Sequence, residues 1–95
     1  MTTTKDLIGK TFTHGTPTKE ALDELYHALL TETCNVIIGG DGELAKKLNT
    51  NLTDAFHHLA NVANFRTHDE DRTMDALRLT QLNTLAELLK VTFGG

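Results

Sequence analysis

The stretch that decides the fold is Ile38-Gly39-Gly40-Asp41-Gly42-Glu43-Leu44, near the middle of the chain. A glycine ends a helix well, because it adopts the left-handed backbone that a C-terminal cap needs. An aspartate begins the next helix well, because its carboxylate accepts hydrogen bonds from the free N–H groups of the first turn. A stretch with helical apolar periodicity lies on each side of this turn. The sequence therefore predicts a helical hairpin that reverses direction at residues 39–42.

The composition predicts one globular domain. The chain has 95 residues, of which 39% are hydrophobic and 23% are charged, and these values are ordinary for a single domain. Leucine is abundant and aromatic residues are few, which favours helices over strands. The net charge of -4 argues against nonspecific binding to nucleic acids, because such binding depends on basic surface.

The predicted location is the cytoplasm. Cys34 is the single cysteine of the chain, so it cannot form an intrachain disulfide, and a reducing compartment is the default. No apolar run approaches the roughly 20 residues that a membrane span needs. Residues 1–6 lack the long apolar core of a signal peptide.

An N-terminal arm and a first helix are predicted for the first part of the chain. Residues 1–16 are rich in threonine and show no helical periodicity, which predicts an extended arm, followed by a helical domain over residues 17–95. Thr16 is the predicted N-cap of a first helix that runs from Pro17 to Ile38, because proline suits the first helical position. A short strand over residues 35–38 is the alternative, since this β-branched stretch ends in glycines.

A second helix is predicted to follow the glycine turn. Its apolar residues recur at steps of three and four from Asp41 to about Phe65. The stretch Asn49-Thr50-Asn51 interrupts it, because asparagine and threonine side chains compete for backbone hydrogen-bonding groups. The helix either continues through this stretch or breaks there, and both possibilities stay open at this point.

A third helix completes the predicted fold. Thr67 and Glu70 form a capping-box pattern ahead of an apolar-periodic stretch that reaches about Phe93 and ends at Gly94-Gly95. The predicted fold is therefore all-α, a three-helix bundle made of a helical hairpin plus a third helix, with the extended N-terminal arm.

The third helix is apolar over more than one face. A helix of this kind must contact two neighbours or a second chain. The predicted oligomer or partner interface consists of Leu85, Leu88, Leu89 and Phe93.

Groups that could support catalysis or bind a metal are few. Asp54, His57 and His58 lie within one helical turn, but two ligands from one helix face need a third ligand, so no metal and no cofactor is predicted. Cys34 has no Lys, Arg or His close in sequence that would make it reactive, and we expect a small buried hydrophobe. The chain contains no serine and no Cys–His signature, so no enzymatic activity is predicted.

Residues 43–59 resemble a helix-turn-helix of the bacterial repressor type. The first half, Glu43-Leu44-Ala45-Lys46-Lys47-Leu48, is typical of the motif, and Asn49 stands where the motif usually has glycine. Thr50 departs from the pattern, because an apolar residue is expected there, and residues 53–61 carry no Lys or Arg for DNA contacts. The resemblance implies a DNA-binding regulator if the helix breaks at residues 49–51.

Residues 12–63 resemble the helical hairpin domain of phage sponge proteins, which sequester cyclic-nucleotide immune signals. In that family an aromatic residue precedes a helix that starts at Thr or Ser, as Phe12 precedes Thr16-Pro17 here. The family pattern T-x-L-x-x-x-F-x-x-L is matched by Thr50, Leu52, Phe56 and Leu59. Asn61 stands where the family has a ligand-contacting arginine, so Arg66 or Arg72 would have to substitute for it.

The predicted function is that of a small non-enzymatic binding or inhibitor protein of the phage anti-defence type. It would block a host protein or sequester a nucleotide signal, and the candidate ligand-binding residues are Lys10, Phe12, Arg66 and Arg72. The protein alternative is slightly preferred, because the chain has only nine Lys and Arg in total. A homo-oligomer without a membrane partner is expected. The alternatives are the helix-turn-helix regulator and a structural assembly subunit.

Overall fold

The computed structural model describes residues 4–13 and 17–94, and these residues form an all-α bundle. Within the described ranges the helices are α1 (Thr4–Thr13), α2 (Lys19–Gly39), α3 (Gly42–Ala63) and α4 (Asp69–Phe93). The predicted all-α class is confirmed, and α2 with α3 is the predicted hairpin. None of the helices in the described ranges is long and apolar enough to cross a membrane.

The N-terminal segment is helical where it is described, which corrects the prediction of an extended arm. Ile8 is buried, and Leu7 and Phe12 pack against the same core. Ile8 and Phe12 lie four residues apart, so one helix face presents both of them to the core. The weak propensities of Gly9 and the threonines concealed this helix, because tertiary packing overrides local propensity.

Helix α2 begins later than the sequence predicts. Its N-cap is Thr18, whose hydroxyl accepts a hydrogen bond from the Ala21 N–H at 3.1 Å, while the predicted cap Thr16 lies outside the described residues. Pro17 precedes the cap and is buried, and its carbonyl oxygen accepts a hydrogen bond from Arg66. Thr18 therefore caps α2, and the Arg66 contact holds the backbone of the residue immediately before the cap.

The rest of α2 agrees with the helical prediction. Residues 35–38 are helical, so the strand alternative is wrong. Thr33 is a polar residue within the apolar stripe of α2. It is fully buried, and its hydroxyl donates to the Leu29 carbonyl at 2.7 Å. A buried hydroxyl without such a partner would be costly.

The turn between α2 and α3 has the predicted geometry. Gly40 adopts a left-handed backbone with φ of 67°, and its N–H donates to the Val36 carbonyl. The Asp41 carboxylate accepts from the N–H groups of Glu43 at 3.0 Å and Leu44 at 3.2 Å. The two caps satisfy backbone groups that would otherwise lack partners at both helix ends.

Helix α3 runs without a break through residues 49–51. The Thr50 hydroxyl donates to the Lys46 carbonyl at 3.2 Å, and the Thr53 hydroxyl donates to the Asn49 carbonyl at 2.9 Å. These bonds satisfy the polar side chains within the helix, so they do not compete with its backbone ladder. The turn that a helix-turn-helix would need is therefore missing from residues 43–59, and the DNA-binding alternative loses its structural basis.

Helix α4 starts and ends by different means. Its N-cap is His68, which makes no side-chain cap hydrogen bond, so the predicted capping box of Thr67 and Glu70 is wrong. The first turn carries three acidic residues that favour the positive end of the helix dipole instead. At the other end Gly94 adopts φ of 75° and donates its N–H to the Lys90 carbonyl, as predicted, while Gly95 lies outside the described residues.

Helix α3 is central to the packing. It contacts α1, α2 and α4, and α2 likewise contacts the three other helices, whereas α1 and α4 do not meet in the described part of the chain. The bundle measures 41 × 28 × 17 Å, and its thin dimension corresponds to about two layers of helices at 8–10 Å spacing. The buried residues that α3 gives to the core are Ala45, Leu48, Leu52, Ala55 and Leu59.

A polar contact fastens the end of the bundle where α2 and α4 begin. Arg66, in the connection between α3 and α4, donates from Nε to Asp75 Oδ2 and from Nη2 to the Pro17 carbonyl, both at 2.9 Å. Asp75 is 1% exposed, so its charge depends on this arginine for compensation. One guanidinium therefore ties the start of α2 to α4.

A second arginine joins α4 to α2 a turn further on. Arg78 pairs with Asp23, donates from Nη1 to Gln81 Oε1, and places its guanidinium carbon 5.0 Å from the centre of the Tyr26 ring. A cation over an aromatic face adds attraction beyond the ion pair. The seam between α2 and α4 is therefore partly polar.

Asp75→Ala should destabilise the protein by about 3 kcal/mol, because it leaves the Arg66 guanidinium without its buried counter-charge. The loss is measured by urea denaturation followed by circular dichroism. Glu70→Ala, which removes an exposed carboxylate from the same helix, should cost less than about 1 kcal/mol. Equal losses in the two variants would contradict the assigned role of the ion pair.

Candidate functional site

The candidate site is a groove between α3 and α4, and we call it the α3–α4 groove. Its volume is about 610 Å³. Helix α3 contributes Gly42, Ala45, Lys46, Asn49 and Thr50. Helix α4 contributes Ala86, Glu87, Leu89, Lys90 and Phe93. The groove therefore lies at the end of the bundle where α3 begins and α4 ends.

Small side chains create the space for this groove. Gly42 and Ala45 of α3 and Ala86 of α4 all line the groove, and no large side chain at these positions fills the gap between the helices. A smaller cavity of about 140 Å³ adjoins it and shares Ala86, but there Phe56 and Leu82 occupy more of the space. Helices α3 and α4 therefore leave an open space between them at this end of the bundle.

The groove combines an apolar base with a charged edge. Leu89 and Ala45 are buried, Phe93 is half-buried, and Lys46 and Lys90 are exposed. Neither lysine forms an ion pair within the described part of the chain. Glu87 is the one carboxylate among the lining residues, so two cations face one anion in a chain of net charge -4.

The predicted ligand residue Phe12 lies outside the groove and holds α1 in place. Its ring stacks on the His58 ring of α3, with 5.1 Å between centroids and 18° between planes. Phe12 is half-buried against the core. This geometry assigns Phe12 a packing role between α1 and α3.

The three predicted cationic ligand residues do not line the groove either. Arg66 is engaged with Asp75 and the Pro17 carbonyl. Lys10 is exposed in the last turn of α1, and Arg72 is exposed in the first turn of α4. The structure thus assigns Arg66 to the polar fastening and leaves Lys10 and Arg72 on the surface.

The predicted interface residues separate into buried and accessible groups. Leu85 and Leu89 are 4% and 2% exposed within the chain's own core, so neither lies on the outer surface that a partner protein would cover in this conformation. Phe93 lines the groove, and Leu88 is 46% exposed. Val91 lies one turn beyond Leu88 on α4 and is 79% exposed. It is an accessible apolar neighbour of Leu88 that the predicted interface did not include.

The remaining candidate groups form no site among the described residues. Asp54, His57 and His58 are exposed on α3, and no group of three metal-ligating residues that could hold an ion gathers in the described ranges. Cys34 is exposed, which corrects its expected burial, because its position on α2 faces away from the Leu29 and Thr33 stripe. Partial burial raises the pKa of the Glu32 carboxyl.

Sequence reasoning did not identify the groove, although a partial signal was present. Lys46, Asn49 and Thr50 share one helix face through three- and four-residue spacing, and Ala86, Lys90 and Phe93 share another. Periodicity groups residues on one helix, but it does not say which faces of two helices meet. That Ala45 and Ala86 line the same groove follows only from the packing of α3 against α4.

We compared the chain with protein-family models, with curated proteins and with solved structures, and none of these comparisons gave a match.

Phe12→Ala should loosen α1 selectively, because a helix of ten residues is marginal in water without packing. We expect a loss of about 2 kcal/mol and faster amide hydrogen exchange in α1 than in α3. Lys10→Ala, an exposed change in the same helix, should leave the exchange unaltered. Unchanged protection of α1 in Phe12→Ala would show that the stacking on His58 does not hold this helix.

Proposed function

We propose that the protein is a small non-enzymatic binding protein that sequesters a ligand in the α3–α4 groove. The observation that carries this proposal is the groove itself, whose volume of about 610 Å³ lies within the roughly 300–1,000 Å³ of small-molecule sites. Such sites combine an apolar lining with a few polar groups that orient the ligand. Leu89 and Phe93 fit the first description, and Asn49 and Thr50 fit the second.

The proposed mode of action is competition for the ligand. A protein that holds a ligand without transforming it lowers the free ligand concentration available to another protein. Binding also stabilises the folded state by mass action. A phage anti-defence role with a nucleotide signal as ligand stays a prediction from sequence resemblance, because the residues proposed from that resemblance, Lys10, Phe12, Arg66 and Arg72, lie outside the groove.

Filling the groove should abolish sequestration. In Ala86→Leu the larger side chain enters the space shared by the groove and the smaller cavity. The control Ala76→Leu places the same side chain at an exposed position on the same helix. Both variants keep a good helix former. Native mass spectrometry of protein purified without denaturation from cells should find a ligand-sized mass excess on the unmodified protein and Ala76→Leu, but not on Ala86→Leu.

Two results would contradict this proposal. The first is a bare mass for all three proteins, and the second is the same mass excess on Ala86→Leu as on the unmodified protein. Equal thermal melting temperatures after removal of bound molecules would confirm that the two variants differ in binding and not in folding.

A second candidate function is contact with a protein, either a host protein or a second copy of this chain. The observation that favours it is the exposed apolar pair Leu88 and Val91, which lies on the outer face of α4. Exposed apolar residues that adjoin one another mark contact surfaces more often than scattered ones do. This surface is separate from the groove and is compatible with ligand sequestration.

Leu88→Glu should dissociate a homo-oligomer that uses the outer face of α4, because a buried unpaired carboxylate is costly. Light scattering coupled to size-exclusion chromatography measures the mass, and circular dichroism should show unchanged helix content. Leu44→Glu is the matched control, since Leu44 on α3 is 49% exposed and Leu88 is 46% exposed. An unmodified protein that is already monomeric, or an unchanged mass in Leu88→Glu, would rule out the homo-oligomer.

A further inference from the structure

We infer that the ligand of the α3–α4 groove is a small organic anion with a flat apolar body, and this inference rests on the proposed binding function. The geometry places an apolar base beside two cationic side chains. Each part of this description constrains a different part of the ligand. The charged edge selects the head group, and the base selects the body.

The charged edge favours an anion over a neutral or cationic ligand. Lys46 comes from α3 and Lys90 from α4, so each helix contributes one lysine to the groove lining. Neither has an ion-pair partner among the described residues. A charge-assisted hydrogen bond to an anion is about twice as strong as a neutral one, and each of the two lysines can donate one.

One polar side chain of the groove lining supports the same assignment. The Thr50 hydroxyl already donates its proton to the Lys46 carbonyl, so it offers an anion no donor, whereas Asn49 adds an exposed amide with two N–H donors. An anionic head group is acceptor-only, so an amide donor suits it. The Glu87 carboxylate repels an anion. Removing its charge should therefore strengthen anion binding, whereas removing the lysines should weaken it.

The base of the groove favours a flat apolar body. Ala45 and Ala86 line the groove with small side chains from the two helices, and the buried Leu89 adds apolar surface. Phe93 is half-buried at one end and offers a ring on which a second flat group can stack. The volume of about 610 Å³ is too small to hold a helix of another protein, but it suits a bicyclic organic molecule.

A matched pair of fluorescent probes tests the inference. Anilinonaphthalene sulfonate and phenylnaphthylamine share the same aromatic framework, and only the first carries a sulfonate anion. Fluorescence titration gives the Kd of each probe, and amide NMR shifts of the labelled full chain show where each one binds. We expect both probes to shift the amides of Gly42, Asn49 and Phe93, and the sulfonate Kd to rise with salt concentration.

Charge variants separate the head group from the body. The double variant Lys46→Ala with Lys90→Ala should raise the sulfonate Kd about tenfold and the neutral probe's Kd less than about twofold. The control Lys19→Ala with Lys47→Ala makes the same change in net charge at exposed positions outside the groove. It should alter neither Kd more than about twofold. Glu87→Gln should tighten sulfonate binding about twofold and leave the neutral probe unchanged.

The possible failures are distinguishable. If both probes shift the groove amides but the two lysine double variants give equal Kd values for the sulfonate, the inference about an anion is overturned and the binding groove stands. If neither probe shifts the groove amides, the inference and the proposed function both fail. A sulfonate effect confined to the Lys46 and Lys90 pair, with the opposite sign in Glu87→Gln, supports the inference.

Discussion

Burial of the apolar stripe along α3 is the constraint on which the rest of the structure depends. Leu48, Leu52 and Leu59 are at most 1% exposed, and every other helix in the described ranges packs against α3. A fully buried leucine contributes about 1.5–3 kcal/mol, while an isolated helix is stabilised little by its own propensity. The stripe therefore requires neighbours, and α1, α2 and α4 supply them from different directions.

The two ends of the bundle satisfy this constraint differently. At the end where α2 and α4 begin, a buried ion pair between Arg66 and Asp75 joins the α3–α4 connection to α4. At the other end, Ala45 and Ala86 line the space between α3 and α4, and their small side chains do not fill it. The first arrangement fixes geometry through a charge that cannot be left uncompensated. The second leaves an open groove, and this is where a binding function is proposed.

Local chemistry predicted some helix boundaries and failed at others for a common reason. The caps at Gly40 and Asp41 were predictable, because a left-handed glycine and an N-cap carboxylate act within a few residues of themselves. The start of α2 at Lys19 was not, because Thr16 and Thr18 both suit a cap in sequence, and the backbone before Thr18 contacts Arg66, which is distant in sequence. Helix α1 was missed likewise, since burial of Ile8 and stacking of Phe12 on His58 outweigh weak local propensity.

The sequence by itself determined the all-α class, the hairpin turn, the apolar stripes of α2 and α3, and the glycine that ends α4. All of these follow from periodicity and from hydrogen bonds between near neighbours, which the order of residues specifies directly. Only the tertiary structure decided that Leu85 and Leu89 belong to the core, that Arg66 serves a buried carboxylate, and that Lys46 and Lys90 flank one groove. Those facts depend on which helix faces meet, and that is decided by the joint packing of residues far apart in the chain.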